Sequence, residues 1–151
     1  EKVLEADWVA AAARGSWLGV VMLDIDHFKQ YNDSLGHPAG DQCIRQVAAA
    51  LSDAVRTNDL LARYGGEEFA VILPGSDPEA SRLVAQRLRN AVVDLDLMHP
   101  SGGSVTVSLG VAAIRPDNAL TPQALLTLAD AALYQAKRNG RNLVELATPS
   151  S

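Results

Sequence analysis

The stretch Arg63-Tyr64-Gly65-Gly66-Glu67-Glu68-Phe69 decides how this chain folds. It lies between two apolar runs, Leu60-Leu61-Ala62 and Phe69-Ala70-Val71-Ile72-Leu73. A Gly-Gly pair between strand-like runs reads as a tight hairpin, because the centre of such a turn needs positive φ and glycine adopts it freely. Glu67 and Glu68 follow at once. The tip therefore sets adjacent acids beside bare backbone, a combination that suits a metal ion and a phosphate. The other elements read as support for this tip.

Upstream, Leu18-Gly19-Val20-Val21-Met22-Leu23 is a continuous apolar run, the mark of a strand covered on both faces. It leads into Asp24-Ile25-Asp26, whose two acids point to the same side if the strand persists. Residues 1–16 are amphipathic and predict a helix that ends at Gly15-Ser16. His27 to Asp33 predicts a short helix breaking near Asn32-Asp33, and Ser34 to Gly40 a loop rich in turn residues. A helix from about Gly40 to Val55 shows Ile44, Val47, Leu51 and Val55 on one face. Downstream, Asp77-Pro78 and Thr121-Pro122 each read as a cap followed by a first helical proline. Ser104 to Ile114 is a β-branched strand, Gly140 ends the last helix, and Leu143 to Leu146 is a final strand before a frayed tail from Thr148. The order is helix, strand, helix, helix, hairpin, helix, strand, helix, strand, which a mixed sheet flanked by helices satisfies.

The chain has 151 residues, 48% of them hydrophobic, enough for a single domain spanning 1–151 with a sizeable core. A net charge of −5 argues against a general nucleic-acid binder. No apolar run reaches the roughly 20 residues of a membrane span, so no membrane contact is expected of this domain. One cysteine, Cys43, fits a reducing compartment. Glu1 rather than Met opens the sequence, which reads as a piece of a longer protein.

Several polar groups carry two readings each. Asp24 with a hairpin glutamate is the minimum for metal-assisted nucleotidyl transfer, but Asp24 equally suits a helix cap and the glutamates a solvated tip. Asn32 and Asp41 match a guanine edge, the amide donating to its acceptors and the acid accepting from its N–H groups; an Asx turn and a helix cap account for them as well. Lys137 and Arg141 complement a helix C-terminus or hold phosphates. Arg56 and Asp59, three apart, form a local ion pair on the simplest reading.

Taken in order, these pieces resemble the GGDEF, or diguanylate cyclase, family. Asp24 to Asp33, Gly36-His37-Pro38-Ala39-Gly40-Asp41, the GGEEF form at Arg63 to Phe69, Val107 to Val111 and Ala129 to Asn142 match its blocks over nearly the whole chain. The resemblance implies an α+β fold with a palm-like βααββαβ core, a mixed, largely antiparallel five-stranded sheet similar to adenylyl cyclase catalytic domains. It implies that Asp24, the Ile25 carbonyl and Glu67 bind Mg²⁺ or Mn²⁺, with Glu68 supporting catalysis. The triphosphate would lie on backbone amides near Phe28 and Lys29, the Gly65-Gly66 backbone, and the Lys137 and Arg141 side chains. Asn32 and Asp41 would read guanine. Two GTP molecules would be joined into cyclic di-GMP with loss of two pyrophosphates, across a homodimer. Arg56-Thr57-Asn58-Asp59 matches the family's RxxD product-inhibition site, with Arg87 a further contact. A non-catalytic cyclic di-GMP receptor is the alternative, and a cyclase for another nucleotide a weaker one. Members usually carry a DxLTGLxNRR segment, expected just before residue 1, and an N-terminal sensor or receiver domain. Its absence from the sequence would leave this piece inactive by itself. The family implies a bacterial, cytoplasmic location, with the full-length protein either free or membrane-anchored.

Overall fold

Leu18–Ile25 forms a strand (β1) buried at every position, as a continuous apolar run demands. A computed structural model describes residues 2–117 and 120–147. Around β1 the chain forms α1 (Lys2–Arg14), α2 (Phe28–Leu35), α3 (His37–Ala54), β2 (Leu60–Arg63), β3 (Glu68–Pro74), α4 (Pro78–Asp94), β4 (Val107–Ile114), α5 (Pro122–Arg138) and β5 (Val144–Leu146). The five strands stand in the order β2-β3-β1-β4-β5. Only the β4–β5 pairing is parallel. This is the α+β, largely antiparallel sheet the sequence predicts, with βααββαβ running from β1 to β4.

Alternation along β1 divides the core in two. Val21, Leu23 and Ile25 face α3 and α4, meeting Ile44, Val47, Leu51, Val84, Leu88 and Val92. Leu18, Val20 and Met22 face α1 and α5, meeting Leu4, Trp8, Leu125, Ala129 and Leu133. α5 lies so close to β4 that a Cβ on Gly110 would fall on the Leu133 nitrogen and the Ala129 carbonyl, and 2.7 Å from Leu133 Cα. The two cap-and-proline starts form as read: Asp77 accepts from Ala80 N at 2.8 Å and Thr121 from Ala124 N at 3.1 Å.

Three local expectations are corrected. α2 does not break at Asn32-Asp33 but runs through Leu35, and α3 starts at His37, so the expected loop over 34–40 shrinks to Gly36 at φ 91°. Pro38 sits in the first turn of α3, where no backbone N–H is required, and so starts the helix it was expected to precede. The hairpin turn is not built on left-handed glycines, since neither Gly65 nor Gly66 has positive φ. A longer loop closes it instead: Tyr64 N and Gly65 N both donate to Glu68 O, and the Arg63 guanidinium donates to the Gly65 and Gly66 carbonyls. Finally, β4 begins at Val107, and Ser104 joins only an isolated bridge to Met98 that closes the return at His99. The tail from Thr148 lies outside the described residues.

Candidate functional site

The polar end of β1 meets the returning hairpin at one end of the sheet. Register pairs Asp24 with Glu68 of β3 and with Ser108 of β4. Directly paired antiparallel residues share a face, so the two carboxylates project together toward α5. From α5, Lys137 Nζ donates to Asp24 Oδ2 at 2.6 Å. Asp24 is 7% exposed. Burial holds its carboxyl above the ordinary value, an effect that the Lys137 hydrogen bond and charge oppose, the Asp26 charge reinforces and the Arg141 charge opposes. Glu68 is raised too, by burial first and then by the charge of Asp24, with Asp130 and Glu67 adding to it. A carboxyl that binds its proton more tightly folded than unfolded makes its ionised form a cost to the fold as pH rises. Burial is thus the main reason that these carboxylates resist ionisation, and the neighbouring acids add to it against Lys137 and Arg141.

A cation close to two such carboxylates would favour their charged forms, so the donor set decides whether a divalent ion fits. Among the described residues no three His, Cys, Asp or Glu side chains are gathered into a metal cage. Mg²⁺ does not need one, because it takes one or two carboxylates and completes its shell with water and substrate phosphates. Asp24 and Glu68, paired in register and both hard oxygen donors whose charge burial disfavours, fit such an ion. Glu67 stands one residue beyond that pair, half-buried, its carbonyl accepting from Ile25 N at 3.2 Å. The Ile25 side chain is in the core, which leaves only its backbone for the site.

Asp26, on the same face as Asp24, is 4% exposed. It accepts from Thr106 Oγ1 at 2.7 Å, Ser108 Oγ at 2.6 Å and Asn142 N at 3.0 Å. It thereby ties the start of β4 to the turn after α5, where Arg141 and Asn142 have φ of 65° and 54°. Arg141 is thus held near Asp24 by an acid it does not touch. The alternation of Asp24 with Asp26 was the sequence signal for this; the hydroxyl partners, 80 and 82 residues on, gave none.

α2 and α3 supply the next group. Phe28 is buried and offers only its backbone, while Lys29 is exposed. No side chain caps the first turn of α2. Asn32 Oδ1 is buried with no hydrogen-bond partner. A Cβ on Gly40 would collide with that same amide, so the glycine makes room for it, one residue before the exposed Asp41. An unsatisfied buried amide wants a partner that the chain itself does not provide. Gly65 and Gly66 are exposed, and open space surrounds Gly66 where a Cβ would stand.

Arg56, Asp59 and Arg87 assemble elsewhere. α3 has 18 residues, and at 1.5 Å each its C-terminal end lies roughly 27 Å from its start. There Arg56 Nε and Nη2 donate to the two oxygens of Asp59 at 2.9 and 2.8 Å, and Nη2 also to Ser76 Oγ at 2.6 Å. Arg87 Nε donates to the Ala54 carbonyl at 2.9 Å, beside them. The Asp59 hydrogen bond raises the Arg56 pKa further. Ser76, in a Pro-Gly-Ser turn, carried no sequence signal of this role.

The family model described as "Diguanylate cyclase, GGDEF domain" matches residues 1–143. A probable diguanylate cyclase of Escherichia coli K12, DgcT, is 44% identical over 138 residues, which is 89% of this chain and 30% of that protein. Diguanylate cyclase DosC of the same organism is 39% identical over 132 residues, 87% of this chain and 29% of that one. The chain thus spans about 30% of the length of such curated relatives. Among solved structures, the GGDEF domain of DgcB from Caulobacter crescentus in complex with c-di-GMP superposes with a TM-score of 0.88 at 37% identity, over 97% of this chain and 86% of that one. The active GGEEF domain of a diguanylate cyclase from Vibrio cholerae gives 0.83 at 29% identity, over 99% and 97%. Among the described residues no helix is long and apolar enough to cross a membrane. By its family match, its sequence identity to curated relatives and its fold, this chain belongs to the GGDEF, diguanylate cyclase domain family.

Proposed function

We propose that this domain is the catalytic part of a diguanylate cyclase that condenses two GTP molecules into cyclic di-GMP and releases two pyrophosphates. The observation that carries the reading is the pairing of Asp24 with Glu68 at the end of β1, with Lys137 drawn onto them. Asp24, the Ile25 carbonyl and Glu67 would hold Mg²⁺ or Mn²⁺, supported by Glu68. When bound, such an ion lowers the pKa of an attacking hydroxyl and offsets charge on the phosphate it meets. The Phe28 and Lys29 amides, the Gly65-Gly66 backbone, Lys137 and Arg141 cradle the phosphates. Asn32 and Asp41 take the guanine; the orphaned Asn32 Oδ1 is an acceptor, which a guanine N–H would answer while the amide nitrogen donates to a ring acceptor. In the step itself the 3′-oxygen of one GTP bonds to the α-phosphorus of the other, the bond to the β-phosphate breaks, and Glu67 accepts the hydroxyl proton. One domain binds one GTP, so two domains face each other about a two-fold axis. An upstream sensor domain and a cytoplasmic setting complete this reading. The test is the full-length protein with GTP and Mg²⁺, following pyrophosphate and cyclic dinucleotide; product no higher than that of Glu67→Ala would overturn it.

The Arg56 cluster supports product feedback. Asp59 and Ser76 hold that guanidinium in one orientation, with Arg87 alongside, ready for a planar or phosphate ligand. Cyclic di-GMP bound there would couple back to the distant carboxylates through domain arrangement. Arg56→Ala is expected to weaken product inhibition by about a hundredfold while initial turnover stays intact. Unchanged inhibition, measured by adding cyclic di-GMP to the assay, would exclude this site.

A further inference from the structure

His99 lies in the short return between α4 and β4, yet it is only 6% exposed. Both ring nitrogens are engaged. The Ser101 backbone N–H donates to Nδ1 at 3.1 Å, and Ser101 Oγ stands 2.7 Å from the same atom. A backbone N–H can only donate, so Nδ1 is an acceptor and the neutral ring carries its proton on Nε2. Nε2 therefore donates to the His27 carbonyl at 3.0 Å. That carbonyl also accepts from Tyr31 N at 3.2 Å, closing the first turn of α2. Both of its lone pairs are in use.

His27 is the residue at which β1 becomes α2. Its φ of 54° and ψ of 35° are left-handed, a conformation that side-chain-bearing residues adopt at a cost. No side chain caps the helix that starts there. The restraint on the His27 carbonyl from outside α2 comes from His99, 72 residues away in sequence. The His99 ring also meets the His27 and Tyr31 rings edge-on, at centroid distances of 6.3 and 5.8 Å, and Tyr31 stacks on Phe28.

We propose that His99 is a positioning residue for the nucleotide phosphates. By holding the His27 carbonyl it fixes the direction in which the Phe28 and Lys29 backbone N–H groups leave the β1–α2 junction. The proposal rests on the reading of that first turn as part of the phosphate cradle. The base contacts, Asn32 and Asp41, lie farther along α2 and on α3, and are not set by this restraint.

The experiment measures, in the full-length protein, affinity for a GTP analogue with a methylene between the α and β phosphorus atoms, and for guanosine. His99→Leu keeps the bulk and removes both nitrogens; His99→Gln returns an amide N–H close to Nε2. The leucine variant is expected to bind the analogue about tenfold more weakly, equivalent to about 1.4 kcal/mol, with guanosine affinity unchanged. Glutamine should restore most of the loss. Ser101→Ala, at an exposed position, leaves the fold in place and should shift the analogue about threefold in the same direction. Thermal melting identifies any variant that fails to fold. Unchanged analogue affinity in Ser101→Ala and in a folded His99→Leu, or equal losses for analogue and guanosine, would overturn the proposal. A wild-type protein that binds no analogue overturns the cyclase reading, and the proposal with it. A wild type that binds normally beside unaffected variants overturns the proposal alone.

Discussion

Gly110→Ala is expected to destabilise the domain strongly. The added carbon would meet backbone atoms of Leu133 and Ala129, not a side chain that can swing aside. Relief requires α5 to lift away from β4, and α5 buries Leu125, Ala129 and Leu133 against the sheet. Overpacking of a yielding core costs about 1–3 kcal/mol, and a rigid backbone contact belongs at or above that upper end. For a chain of this size that lowers the melting temperature by on the order of 10 °C. Gly66→Ala is the control, because nothing lies within 4 Å of its added carbon. Thermal unfolding of the two variants side by side checks the contrast. Equal stability would mean that β4 and α5 are not in the close contact described.

Asp24→Asn is expected to do the reverse, keeping the fold and removing the chemistry. The amide has the shape of the carboxylate, so packing at this buried position survives. Burial already disfavours the charge that is removed. Lys137 loses its partner, but its side chain is 34% exposed and can turn to solvent. The melting temperature should move little. Turnover of GTP should fall by at least about a thousandfold, as for other groups that stabilise a transition state directly. Parallel assays of pyrophosphate release and of thermal melting check both halves. Turnover within tenfold of wild type would remove Asp24 from the reacting centre.

How much of this was legible in the sequence depended on distance along the chain. β1 announced itself because an unbroken apolar run has few other uses, and Asp77 and Thr121 announced their helices because cap and proline act within one turn. The α2–α3 junction misled for a local reason. Ser34-Leu35-Gly36-His37-Pro38 has loop composition, yet one left-handed glycine makes the whole turn and the proline starts a helix. The hairpin glycines misled in another way: they appeared to be required by φ, whereas what distinguishes Gly65 is a Glu68 oxygen 2.9 Å from where its Cβ would stand. The charge site was half visible. Asp24 and the glutamates were marked by their strand ends, but the Lys137 contact spans 113 residues and the Asp26–Ser108 contact 82, separations that only the sheet order closes. His99 was illegible for the same reason, since its importance lies in which carbonyl it faces.

The sheet order has a consequence for motion. β1 is hydrogen-bonded along its length on both sides, to β3 and to β4, and both of its faces are covered by helices. Such a strand opens only when the molecule as a whole opens, so its amides belong to the last set to exchange with solvent. The carboxylate at its end is therefore mounted on the part of the domain least given to local fluctuation. The Arg56 cluster stands on a helix end and two turns, which can shift without breaking the sheet. On the proposed reading, product bound there would reorient the domain as a body while the interior around Asp24 keeps its shape.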